Sequence, residues 1–119
     1  MKKLLKSFGY AFKGMWYVLQ SEQNMRIHAF AVVVVTVAGI FLSLTSTEWS
    51  LIALSICAVL TAEMFNTAIE KLVDLVSPQY NEQAGKIKDI AAGGVLLTAI
   101  VASVVAIYIF GDKIFNLLL

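Results

Sequence analysis

Charge is the first thing this sequence lacks. Asp, Glu, Lys and Arg make up 14% of its 119 residues against 60% hydrophobic residues, and the mean hydropathy is +0.83. A water-soluble domain carries about a quarter charged residues, so the composition points to an integral membrane protein. The formal net charge is +1, which excludes the basic field that nucleic-acid binding requires. The one cysteine, Cys57, lies inside an apolar run; it excludes an intrachain disulfide and has no metal-ligand company. One proline, no Ser/Gly linker and no low-complexity tract leave a single membrane domain over 1–119. There is no Walker-type glycine loop and no Gly-rich loop with the catalytic pattern of protein kinases. Gly93-Gly94 is a small-residue pair within an apolar run, not a phosphate cradle.

What is present is a series of long apolar runs. The pattern predicts an all-α integral membrane fold, with an N-terminal amphipathic surface helix and three transmembrane helices. Over 1–20, Lys2, Lys3, Lys6 and Lys13 fall opposite Leu4, Leu5, Phe8, Ala11, Phe12, Met15 and Leu19. This is the pattern of a helix lying in the membrane interface, with Trp16 and Tyr17 as anchors. Met-Lys-Lys-Leu-Leu-Lys superficially resembles a signal peptide, but Lys6 and Lys13 interrupt any apolar core, so the segment is expected to be retained. Residues 21–28 read as a polar hinge, with Ser21 as a helix cap and Glu22–Arg26 spaced as an i,i+4 ion pair. The spans are expected at 27–46, 49–76 and 86–110, each near or above the ~20 residues that a hydrocarbon core requires. The Val32–Val35 run favours strand in water, but in lipid the backbone must satisfy itself, which makes it helical. Trp49 falls where an aromatic belt would place it, and Glu48 reads as a helix-start charge. Ser77-Pro78 ends the second span. Lys2, Lys3, Lys6, Lys13, Arg26, Lys71, Lys86 and Lys88 share one side of this topology, and Lys113 stands alone on the other. The positive-inside rule makes the former side cytoplasmic and puts the C-terminus outside, in a multi-pass protein of a bacterial plasma membrane.

The informative stretch is Glu63 to Asp74. Its polar residues Glu63, Asn66, Glu70 and Asp74 fall at relative helix angles of roughly 0°, 300°, 340° and 20°, so three carboxylates and an amide share one narrow face. Charge near a bilayer is costly and usually faces a protein interior; the bland alternative is a solvated stripe on a helix leaving the membrane. At the same cytoplasmic depth stand Glu22 and Arg26 before the first span, and Lys88 and Asp89 at the start of the third. Glu63 is the deepest carboxylate and suits a general base; its alternative is a structural hydrogen bonder. Glu70 suits a metal ligand; its alternative is an ion pair with Lys71 or Lys88. His28 reads as an interfacial packing residue.

Such a set suits phosphoryl transfer. Mg²⁺ binds through one or two carboxylates plus substrate phosphates, lysine neutralises phosphate, and a further carboxylate accepts a hydroxyl proton. At a membrane surface the reactants would be a soluble nucleotide and a lipid alcohol. A small transporter with ion-carrying carboxylates is the competing class, but transporters place such groups near the bilayer midplane. Three spans are few for a two-substrate site, and Ala91-Ala92-Gly93-Gly94 with Ala99, Ala102, Ser103 and Ala106 gives the third a face for close packing. Both favour a homo-oligomer.

Glu63-x-x-Asn66-Thr67-Ala68-Ile69-Glu70-x-x-x-Asp74, followed by Lys88-Asp89-x-Ala91-Ala92, resembles the small prokaryotic diacylglycerol kinase family. Tyr10, Lys13 and Gly14 extend the resemblance into the first helix. Glu22-Gln23-Asn24-Met25-Arg26-Ile27-His28 resembles its Gram-positive branch, whose members act chiefly as undecaprenol kinases. The resemblance implies a homotrimer with composite sites between subunits, where ATP with Mg²⁺ phosphorylates a lipid hydroxyl. It implies Glu63 as general base, with Asn66 and Arg26 beside it at the lipid substrate and Asp74 in support. Glu22 and Glu70 are implied as metal-binding carboxylates on the ATP phosphates. Tyr10, Gln79, Tyr80, Asn81, Lys88 and Asp89 are implied as nucleotide contacts, with Asn81 departing from a frequent histidine, and Lys3 as a basic contact in some members. Undecaprenol is the expected substrate and diacylglycerol the alternative.

Overall fold

The computed structural model describes residues 1–119 as four helices: α1 (Lys2–Ser21), α2 (Gln23–Phe41), α3 (Ser46–Val76) and α4 (Glu82–Leu118). The last three are long and apolar enough to cross a membrane. The breaks between helices are short. Glu22 alone, in extended backbone at φ −110° and ψ 119°, separates α1 from α2. The expected hinge over 21–28 is therefore one residue wide, and Gln23 to His28 already belong to the span helix. Ser21 is the last residue of α1 rather than a cap.

Arg26 explains how so abrupt a joint is held. Its Nη1 donates to the carbonyl oxygens of Gln20 (2.6 Å) and Leu19 (3.2 Å). These belong to the last turn of α1, whose carbonyls have no intrahelical partner. The expected Glu22–Arg26 ion pair does not form: Glu22 caps α2 through its backbone carbonyl, which accepts from the Arg26 N–H at 3.3 Å, while the Arg26 guanidinium is turned to the end of α1.

Between α2 and α3, Ser43 takes the left-handed conformation at φ 54°. Thr45 then opens α3 with a reciprocal capping box: its side chain accepts from the Glu48 N–H, and the Glu48 carboxylate accepts from the Thr45 N–H. Lys113 from the far end of α4 reaches the same turn, 3.1 Å from Glu48, so Glu48 has a structural partner in addition to its place at the helix start. Trp49 does not face outward as a belt residue would. Its ring lies against Gly39, where an added Cβ would come within 2.5 Å of it, and it packs on the small core of Leu44, Ile52 and Ile109.

The main packing is the antiparallel α3–α4 hairpin, with α2 against α3 and α1 touching both α2 and α3. At the α3–α4 turn, only 77–81 lies outside helix. Asn81 caps α4, its Oδ1 accepting from the N–H groups of Gln83 (2.8 Å) and Ala84 (3.2 Å). α4 runs on through Gly111 to Leu118, since a single interior glycine costs only about 1 kcal/mol. The molecule measures 58 × 43 × 21 Å; the 43 Å dimension exceeds a three-helix bundle of ~10 Å cylinders, which fits an α1 that leaves the bundle axis.

Candidate active site

One end of the molecule collects the chemistry. There α1 ends, α2 begins, and α3 turns into α4. Glu63 is the most buried large side chain, 1% exposed. It faces α2, where His28 Nε2 stands 3.7 Å from its Oε2. That distance is within ion-pair range but too long for a hydrogen bond, and Glu63 Oε2 has no hydrogen-bond partner in the chain. Around it, Thr67 donates back to the Glu63 carbonyl at 3.0 Å, which is a helix contact and leaves the carboxylate free.

One turn on, Asn66 is also buried. Its Nδ2 donates to Glu70 Oε1 at 3.3 Å, and its Oδ1 is unpartnered. Glu70 pairs with neither Lys71 nor Lys88. Lys71 lies over the Tyr17 ring of α1, 4.7 Å from its centroid, and Lys88 binds Asp74 at 2.6 Å across the α3–α4 turn. The charges of Glu22 and Glu70 both act on Glu63, while those of Glu22 and Asp74 act on Lys71. Carboxylates contributed by the α1–α2 joint and by α3 thus meet in one field.

The sequence-expected residues divide into two groups. Glu63, Asn66 and Glu70 share one face of α3, Glu22 and Arg26 stand at the α1–α2 joint on the same end of the molecule, and Asp74 and Lys88 pair with each other across the α3–α4 turn. Tyr10 is exposed on α1, with Lys13 Nζ 5.8 Å from its ring centroid. Tyr80 is 93% exposed, Gln79 and Asp89 are exposed, and Asn81 uses its side chain as a cap. Within the single chain these stand around the site without closing over it. His28 is the residue that sequence reasoning missed. The signal was available in the topology: antiparallel α2 and α3 bring the start of one beside the later half of the other.

No three His, Cys, Asp or Glu side chains form a closed metal cage. Mg²⁺ does not require one. Two carboxylates facing an open polar end, with the unpartnered Asn66 Oδ1 beside Glu70, match a cation held by one or two carboxylates and by substrate phosphates.

Beside His28 an apolar groove of about 220 Å³ runs along the bundle between α2, α3 and α4. His28 stands at its polar end, and Ala99, Ala102, Ser103 and Ala106 of α4 form its floor. A buried carboxylate 3.7 Å from the histidine that lines an apolar groove between membrane-length helices suits an amphipathic substrate. Comparison with known proteins agrees. Residues 9–110 match the prokaryotic diacylglycerol kinase family. Undecaprenol kinase of Bacillus subtilis (strain 168) is 34% identical over 114 residues, covering 96% of this chain and 93% of that one. Diacylglycerol kinase of Synechocystis sp. is 45% identical over 103 residues, covering 86% of this chain but 59% of the longer relative. Diacylglycerol kinase of Escherichia coli (strain K12) is 31% identical over 100 residues, covering 84% of this chain and 82% of the relative. The chain belongs to the prokaryotic diacylglycerol kinase family and is an enzyme of the lipid kinase class, with ATP as phosphate donor.

Proposed function

We propose that this protein phosphorylates undecaprenol to undecaprenyl phosphate with ATP and Mg²⁺, at the cytoplasmic face of a bacterial plasma membrane. The observation that carries the reading is the buried, unpartnered Glu63 Oε2 beside His28, which itself lines an apolar groove. A lipid alcohol lying in the groove would bring its hydroxyl to that oxygen. Glu63 accepts the hydroxyl proton as the alcohol oxygen attacks the γ-phosphorus of ATP. Asn66 and Arg26 stand at the lipid end. Glu22 and Glu70 hold Mg²⁺, which when bound offsets the phosphate charge. Lys88 and Asp89, with Tyr10, Gln79 and Tyr80, surround the nucleotide, and Asn81 contributes by holding their loop against α4.

The remaining architecture belongs to the same proposal. The chain forms one membrane domain, with α1 in the membrane interface and spans near 27–46, 49–76 and 86–110. Lysine placement puts the N-terminus and the site in the cytoplasm and the C-terminus outside. The working unit is a homotrimer, as the family resemblance implies. An oligomer is supported by buried orphan atoms on Glu63 and Asn66, by a site whose nucleotide contacts stand open, and by Gly93 and Gly94 with nothing within 4 Å.

Purified protein given ATP, Mg²⁺ and equal surface concentrations of undecaprenol and diacylglycerol is expected to phosphorylate undecaprenol preferentially. Glu63→Gln is expected to lower turnover by about 10²–10⁴-fold, the usual range for losing a general base, while changing nucleotide affinity little; full activity in that variant removes the base assignment. The second reading, diacylglycerol as acceptor, is favoured by the identity to the Synechocystis relative, and a diacylglycerol preference in the competition selects it. Lipid grooves read shape rather than hydrogen bonds, so the competition decides between two apolar tails on the same chemistry.

A further inference from the structure

We infer that His28 is a positioning residue that holds the Glu63 carboxylate and carries away the proton Glu63 collects. The inference rests on Glu63 being the general base. It starts from an unmet need. A base buried at 1% exposure must discharge its proton after every turnover, and Oε2 has no hydrogen-bond partner through which to do so. Thr67 is committed to the backbone, and Asn66 Nδ2 points to Glu70. The His28 ring is the one titratable group in ion-pair range, at 3.7 Å, and its side chain is 22% exposed. It therefore bridges the buried carboxylate and the open groove.

The groups facing this pair are few. Glu22 acts from the α1–α2 joint and Glu70 from α3 itself. α4 contributes only Ala99, Ala102, Ser103 and Ala106 to the groove that His28 lines. No other cation competes with the imidazole for Glu63: Arg26 is committed to the end of α1, Lys71 to Tyr17, and Lys88 to Asp74.

The step balances. The alcohol O–H breaks, its proton goes to Glu63 Oε2, the alcohol oxygen bonds to the γ-phosphorus, and the bridging P–O bond breaks with its electron pair leaving on ADP. Glu63 Oε2–H then passes its proton to neutral His28 Nε2. The ring releases Nδ1–H to water, which leaves a carboxylate and the Nε2–H tautomer; proton exchange of the partly exposed ring with water then restores the Nε2 acceptor. The 3.7 Å gap must shorten for this transfer, as catalytic contacts commonly do when substrate binds.

The chain holds a single histidine, so ring signals from ¹⁵N-histidine-labelled protein in detergent report His28 alone. The ring ¹⁵N shifts at fixed pH are expected to differ between the wild type and Glu63→Gln; coincident spectra overturn the pairing. In kinetics, His28→Gln keeps a polar group but cannot titrate. It is expected to lower kcat by about tenfold, less than loss of the base itself, with KM for ATP unchanged. It is also expected to remove an inflection from the kcat–pH profile. A His28→Gln profile with the wild-type inflection overturns the relay, as does an equal fall in His28→Gln and His28→Phe with the inflection kept, which marks packing alone. The base assignment fails separately, by an active Glu63→Gln.

Discussion

Lys88 and Asp74 lie 14 positions apart in the sequence and 2.6 Å apart in space. Their side chains are 37% and 63% exposed, and pairs this open contribute at most about 1 kcal/mol to stability. The pairing therefore does not account for Lys88 energetically, which leaves the proposed nucleotide role to be tested. Lys88→Met is expected to change unfolding stability by no more than about 1 kcal/mol, while raising KM for ATP about tenfold or more through loss of a phosphate-neutralising charge. Steady-state kinetics beside denaturation in the same detergent checks both halves, and an unchanged KM removes Lys88 from the nucleotide site. Glu70 shows how far residue types carry such reasoning. Its place on the acidic face was legible from spacing alone. That Asn66, rather than Lys71 or Lys88, would hold it was not, because both lysines find partners on other helices.

At the scale of elements, two local devices keep the helices in register. Gly39 admits the Trp49 ring at a distance no side chain would allow, with Leu44 also within 2.9 Å of an added Cβ. Gly39→Ala is expected to destabilise by about 1–3 kcal/mol, the usual cost of overpacking, and Trp49→Leu in the same chain to recover part of it; equal stability of Gly39→Ala and wild type in thermal unfolding contradicts the contact. Asn81 caps α4, and Asn81→Ala is expected to cost about 1 kcal/mol, with Asn81→Asp restoring it because aspartate caps as well. Measured side by side, these variants tell whether this residue acts on the helix or on the nucleotide: a cap changes stability, and a direct contact changes KM in both. The glycine was visible in the sequence but its neighbour was not, since the Trp49 ring comes from another helix across a turn containing left-handed Ser43.

For the whole molecule, most of the surface is apolar and only 11 of 119 residues are buried. Along α4 only Ile109 is buried. Lipid can cover apolar side chains, but it cannot satisfy a buried Glu63 Oε2 or Asn66 Oδ1; water, substrate or a second chain can. Purified protein in mild detergent is expected to have the mass of a trimer by light scattering. If the sites are shared between subunits, mixing Glu63→Gln with Lys88→Met chains at ATP well below the wild-type KM should give more activity than the two variants apart, because some interfaces then hold both native residues. Absence of any recovery after subunit exchange means that each chain carries its own site.

Composition by itself determined the solvent, and the solvent determined the elements. In lipid a backbone must satisfy its own hydrogen bonds, so long apolar runs become helices, and the 3.6-residue period places Glu63, Asn66, Glu70 and Asp74 on one face wherever that helix stands. Its reach stopped at the edge of each helix. The one-residue joint at Glu22, the Arg26 side chain bound to the end of α1, Lys71 on Tyr17, Lys88 on Asp74 and above all His28 against Glu63 were decided by tertiary structure. The reason is geometric. Period sets which residues share a face, but the rotation and axial offset between two packed helices set which faces meet, and no single helix encodes those two quantities.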